Sequence, residues 1–226
     1  MSPARHSPPQ PAVPGGVILL HGLGRTGLSM YALNNACKAA GHRTLAPSYG
    51  LRTAIPAILA DLQPRIAEFA AEFDGPVHFI THSLGGLVVR ALLNAERPAN
   101  LGRVVMLAPP NAGSELVDTL ERLGLDRIVL GPASRYLRTA RPASAEARLG
   151  SVDFDLGIIA GDRAIDPILP RLLLPGANDG KVSVAATRIA GMRDHIVLPV
   201  QHTLMVADKR VIHQALAYLA TGSFSR

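Results

Sequence analysis

The stretch "FITHSLGG", residues 79–86, decides the fold. An apolar strand runs into His82-Ser83-Leu84-Gly85-Gly86, where one hydroxyl stands beside two glycines. Such a stretch is either a plain turn between strand and helix or a nucleophile held out into a cleft. In the second case the apex residue is forced into an unfavourable backbone region. Its neighbours two positions away must be small, because strand and helix pass close together. Gly85 meets that need on one side, and Thr81 stands on the other. The turn aims the Ser83 oxygen at a cleft over the start of the next helix, where backbone N–H groups have no intrahelical partner. The N–H of Leu84 is then available to an oxyanion beside Ser83.

Outward from this turn, short apolar runs alternate with longer helical ones. Strands are expected at 16–21, within 42–49, and at 76–81, 102–110, 153–161 and 194–200. Helices are expected at 26–41 (closed by Gly41), 53–73, 84–96 and 203–220, with Pro64 bending the second of these. Strands separated by helices imply right-handed crossovers and an α/β fold: a mostly parallel central sheet with helices on both faces. No internal repeat or linker divides the chain. The expected organisation is a flexible Pro-rich arm over residues 1–15 and a single domain over 16–226.

Segment 114–150 breaks the alternation. Leu116, Leu120 and Leu123 share one helical face, Ser114 is placed as an N-cap, and Glu115 and Asp118 lie near the positive helix end. A helical insertion after a core strand sits above the carboxyl edge of the sheet, where open α/β sheets bind ligands. This segment is therefore expected to form a small helical cap, with Leu116 and Leu120 against substrate.

Composition narrows the classes. The chain has 226 residues, 48% of them hydrophobic, enough for one substantial core. No apolar run approaches the roughly 18 residues of a membrane span, so stable membrane insertion is not expected. The N-terminal stretch lacks the apolar core of a signal peptide, which gives a cytoplasmic expectation. Net charge is +6, from 23 Lys and Arg against 17 Asp and Glu. The arginines are scattered and aromatics are few, so a solvated basic surface is expected and no nucleic-acid partner. Cys37 is the only cysteine and reads as a buried helix thiol.

The stretch around Ser83 resembles the nucleophile elbow, G-x-S-x-G, of the α/β-hydrolase superfamily, with Thr81 where glycine is usual. "LLHGLGRTG" (19–27) is similar to the His-Gly oxyanion strand of bacterial lipases and esterases, and "PPNAGSEL" (109–116) and "NDGKVS" (178–183) resemble segments of the same group. The resemblance extends over about residues 16–220. It implies a second oxyanion donor at the backbone N–H of Leu23.

Serine needs a base, and the base needs an acid to orient it. The order in this superfamily is Ser, acid, His. Beyond Ser83 the histidines are His195, His202 and His213. His195 starts a strand and His213 lies inside a helix, whereas His202 stands in the loop between them and is the expected base. For the acid, the resemblance places Asp162, Asp166 and Asp179 in the right region, and "NDGKVSV" matches an Asp-Gly-x-Val motif that favours Asp179, with Asp162 the alternative. His21 is expected to organise the oxyanion loop, and His82 to line the cleft without acting as base. No spacing of His, Cys, Asp or Glu suggests a metal site, and no cofactor is expected.

The resulting expectation is a serine hydrolase of small-molecule carboxylic esters working through an acyl-enzyme on Ser83. Thioesterase, amidase or acyltransferase chemistry would use the same residues. A binding protein without turnover could occupy the same scaffold.

Overall fold

The computed structural model describes residues 15–164, 174 and 176–226. The expected arm lies outside these residues except for Gly15, and so does Asp166. Gly15 is buried, and its N–H donates to His42 Nδ1 at 3.3 Å.

Six strands form one sheet: β1 (Gly16–Leu20), β2 (Arg43–Leu45), β3 (Val77–His82), β4 (Leu101–Leu107), β5 (Leu156–Gly161) and β6 (Asp194–Leu198). Their spatial order is β2-β1-β3-β4-β5-β6 and every pairing is parallel. The α/β class holds, and the sheet is parallel throughout rather than mostly so. All of β1, β3 and β5 is buried, which explains why these strands read as continuous apolar runs.

The main helices are α1 (Tyr31–Ala39), α2 (Ile55–Ala71) and α3 (Leu84–Ala95). Segment 114–150 contributes α4 (Glu115–Arg122), α5 (Asp126–Leu130), α6 (Ser134–Leu137) and α7 (Ala143–Leu149). A short α8 (Val184–Thr187) and the closing α9 (Lys209–Thr221) follow among the described residues.

Period-two alternation in the strands divides the core. Ile18, Leu20, Phe79, Val104, Met106 and Ile158 pack with α2 and α3 on one face. Val17, Leu19, Ile80, Val105, Leu107 and Ile159 pack with α1 and α9 on the other. At about 1.5–3 kcal/mol per fully buried large aliphatic side chain, these two layers are the main stabilising term. Among the described residues, no helix is long and apolar enough to cross a membrane.

Two local expectations are corrected. The closing helix starts at Lys209, not at 203, because Asp208 takes the N-cap and accepts from the Arg210 N–H at 2.8 Å. Residues 203–208 form turns instead, with a short 3-10 helix at Met205–Ala207. At α4, Ser114 does stand at the N-cap, but its hydroxyl makes no cap bond and donates to the Lys181 carbonyl at 2.9 Å. Helix α2 runs through Pro64, which is exposed, so the carbonyl freed of its usual donor faces water.

Candidate active site

Ser83 is the residue between β3 and α3. Its backbone is at φ 52°, ψ −120°, a strained region for a residue with a side chain. The crowding that enforces this is measurable at Gly85, where a Cβ would sit 2.4 Å from the carbonyl oxygen of Leu20 in β1. Thr81 fits despite its size. It is fully buried, and its hydroxyl finds no hydrogen-bond partner among the described residues.

The segment after β1 faces the same spot. A Cβ on Gly22 would lie 2.9 Å from His82 Nδ1 and 3.2 Å from Ser83 Cβ, so the chain passes this close only because residue 22 is glycine. Among the described residues, the N–H groups of Leu23 and Leu84 have no intramolecular acceptor, and both residues flank Ser83. His21 holds this segment from behind. Its Nε2 accepts from the Tyr49 N–H at 3.1 Å, its ring stacks on Tyr49 at 3.9 Å, and the Tyr49 hydroxyl donates to its carbonyl. Burial pushes the His21 pKa down and the Tyr49 pKa up, so both stay neutral. His21 has the organising place expected of it. Tyr49 was not singled out in the sequence, since nothing local marks a tyrosine 28 positions away as its partner.

His202 stands in the loop after β6. Its Nδ1 is 2.7 Å from Asp179 Oδ2, and both side chains are buried. The other carboxylate oxygen, Oδ1, accepts N–H bonds from Lys181 at 3.0 Å and Val182 at 2.8 Å. The acid is thus fixed by its own turn. The bond also sets the imidazole tautomer: the proton is on Nδ1, and Nε2 is left to accept.

Asp162 does not reach His202. Its backbone N–H donates to the Leu198 carbonyl at 3.2 Å, and its carboxylate lies 3.6 Å from Arg163. The geometry behind this is at Gly161, the last residue of β5. A Cβ there would lie 2.9 Å from Asp179 Cβ. Asp179 therefore occupies the space over the strand end, although Asp162 is the strand's neighbour in sequence.

His82 lines the cavity, as expected from the sequence. Nε2 donates to the His202 carbonyl at 2.9 Å, and the two rings are 4.8 Å apart. Burial, then the nearby His202, holds its pKa well below the usual histidine range. His195 bonds Thr187 Oγ1 at 2.9 Å, and His213 is exposed, so neither joins the site.

A cavity of about 380 Å³ brings the pieces together. Ser83, His82, His202 and Leu23 form its polar end, and Leu116, Leu120, Val129, Leu130 and Leu137 its apolar side. No hydrogen bond joins Ser83 to His202 in this structure; such contacts commonly tighten only with substrate bound. Leu123 is a correction: it stands at the C-cap of α4, beyond the part of the helix that borders the cavity, and is 64% exposed. Leu51 and Leu137 also line the cavity and were not foreseen, because only the tertiary fold brings them there. Among the described residues, no group of three or more His, Cys, Asp or Glu could hold a metal. The arrangement can activate a hydroxyl and stabilise an oxyanion next to an apolar surface.

Residues 17–220 match the model described as "Alpha/beta hydrolase family". No curated protein matches the chain. Among solved structures, the mature form of the Bacillus licheniformis lipase BlEst2 superposes with a TM-score of 0.74 at 18% identity, covering 97% of this chain and 96% of that one. The metagenomic carboxyl esterase MGS0156 gives 0.67 at 20% identity over 90% and 68%. A putative thioesterase from Silicibacter sp. TM1040 gives 0.58 at 19% identity over 94% and 78%. At these identities the likeness is one of fold.

Proposed function

The chain belongs to the alpha/beta hydrolase family, and from that premise we propose that it is a serine hydrolase of small-molecule carboxylic esters. The observation that carries this reading is a single cavity holding Ser83 on a strained turn and His202, whose Nδ1 is bonded to Asp179.

In the proposed reaction, Ser83 Oγ attacks the acyl carbon and His202 Nε2 takes its proton. The N–H groups of Leu23 and Leu84 hold the oxyanion; one such donor is worth about 10²–10³ in rate. Collapse expels the alcohol, which receives the proton from His202, and leaves the acyl group esterified to Ser83. Water then attacks, His202 takes its proton, and the second collapse frees the acid and restores the Ser83 hydroxyl. Asp179 stabilises the imidazolium at each stage.

Segment 114–150 acts as a cap in this reading. Leu116 and Leu120 are half-buried and lie along the cavity, where an acyl chain would run. That apolar wall supports an ester of a hydrophobic acid. A thioester would be processed by the same groups.

The test is hydrolysis of nitrophenyl esters of rising chain length, together with labelling by a fluorophosphonate probe. Wild type is expected to turn over and to label, and Ser83→Ala to do neither while keeping its melting temperature. A scaffold that only binds would neither label nor turn over. Turnover retained by Ser83→Ala would refute the assignment of the nucleophile.

A further inference from the structure

A second cavity, of about 400 Å³, lies between the start of α2 and the helices of segment 114–150. Four arginines border it: Arg127, Arg135, Arg138 and Arg148. Arg138 is neutralised, by Asp126 at 2.6 Å and by Glu121. Among the described residues, the other three have no carboxylate within ion-pairing distance. Arginines elsewhere in the molecule commonly do: Arg65 with Asp61 at 3.1 Å, Arg103 with Asp155 at 3.2 Å, and Arg210 with Asp208 at 2.8 Å. Uncompensated guanidiniums around one concavity focus positive potential there and favour an anion.

Two further features point the same way. Ser144 Oγ accepts from Arg135 at 3.0 Å, which leaves its own O–H to donate into the cavity. Helix α2 begins at the cavity wall with Ala54 at the N-cap, no capping side chain and no acidic residue in its first turn. The positive end of a 17-residue helix is therefore uncompensated where the arginines gather. Tyr136 and Pro132 give the cavity an apolar part, and its volume suits a small organic molecule.

We propose that this cavity binds a small organic phosphate, with the phosphate group held by Arg127, Arg135 and Arg148. A guanidinium fork matches phosphate oxygens, and a dianion with three terminal oxygens can engage three such forks. A single carboxylate, with one charge and two oxygens, would leave part of the positive field uncompensated. The site lies on the far side of the same cap segment that walls the first cavity. Val129, Leu130 and Leu137 line the cavity that holds Ser83, while Arg127, Arg135 and Tyr136 line the second. A bound phosphate thus braces the wall of the acyl site without touching it.

Glycerol 3-phosphate, titrated calorimetrically into the full chain at low salt, tests this. Co-sedimentation with phosphatidylcholine vesicles containing phosphatidic acid tests a lipid head group as the source. Saturable binding is expected in wild type and in Ser83→Ala, weakened tenfold or more in Arg135→Ala/Arg148→Ala, weakened by added salt, and unchanged in Arg65→Ala. Binding confined to the vesicles and lost in the double variant assigns the phosphate to a lipid. Should the double variant fail to fold, Arg127→Glu reverses one exposed charge, and it too must weaken binding. No saturable binding of any probe, or equal binding by wild type and the arginine variants, overturns the proposal.

Discussion

Asp179 and His202 are joined twice. The His202 backbone N–H donates to the Asp179 carbonyl at 3.0 Å, and the His202 ring bonds the Asp179 carboxylate at 2.7 Å. The main-chain bond sets the distance between two loops, and the side-chain bond sets the ring orientation. Loss of the carboxylate charge should therefore leave the loops in place and affect only the ring.

On that basis Asp179→Asn is expected to lower kcat by about 10³–10⁴, by stabilising the wrong imidazole tautomer, with little change in melting temperature. Asp162→Asn, which does not touch His202, should stay within a few-fold of wild type. Side-by-side rates on one nitrophenyl ester decide it; a larger loss in the Asp162 variant would sink the assignment.

Shortening Leu116 and Leu120 to Ala should shift kcat/KM toward different acyl-chain lengths while costing little stability. Both side chains face the cavity and are only half-buried. If they were ordinary core residues, each truncation would cost about 2–5 kcal/mol. An unchanged chain-length profile together with a large fall in melting temperature would contradict the cap.

Acid should weaken the fold between pH 6.5 and about 4. Burial, then the charges of His42 and Arg103, pulls the His78 pKa from 6.5 down to about 4; burial and Arg188 do the same to His195. In that window the unfolded chain takes up protons that the folded one refuses, so stability is complete above 6.5 and falls as pH drops. Each such proton changes the unfolding free energy by about 1.4 kcal/mol per pH unit. Urea unfolding of wild type and His78→Asn across the window tests this: the variant's pH dependence should be flatter, and an identical slope would exclude His78 as a contributor. The Asn oxygen keeps an acceptor for the Arg103 N–H that His78 Nδ1 receives at 2.8 Å.

Thr81→Val should be neutral to stabilising, by up to about 1 kcal/mol. The change removes a buried hydroxyl without a partner and keeps the side chain's shape. Thermal melting checks it, and a drop of several degrees would mean that the hydroxyl is satisfied.

Much of this was legible in the chain because it is local. The elbow at Ser83 declares itself through Gly85, whose missing Cβ the neighbouring strand requires, and through the apolar run before it. His202 could be reached from its place between a strand and a helix. What could not be read depends on distant packing. Asp162 competed with Asp179 because sequence does not show which carboxylate returns to the space over Gly161. Leu123 was grouped with Leu116 and Leu120 on a helical period that the structure ends one residue too early. Tyr49 and the arginine-lined cavity arise only where separate parts of the chain meet.

The strand order also sets the proposed nucleophile and its proposed base far apart in the sheet. Ser83 and Leu84 lie at the end of β3, in the middle of the sheet, and Leu23 follows β1 beside it. His202 follows β6, which among the described residues pairs only with β5. On the proposed mechanism, a chain made only as far as β5 carries the nucleophile and both oxyanion donors but neither His202 nor Asp179. Under that reading β6 and the loop after it complete the site, and a chain truncated after β5 is expected to show no ester turnover.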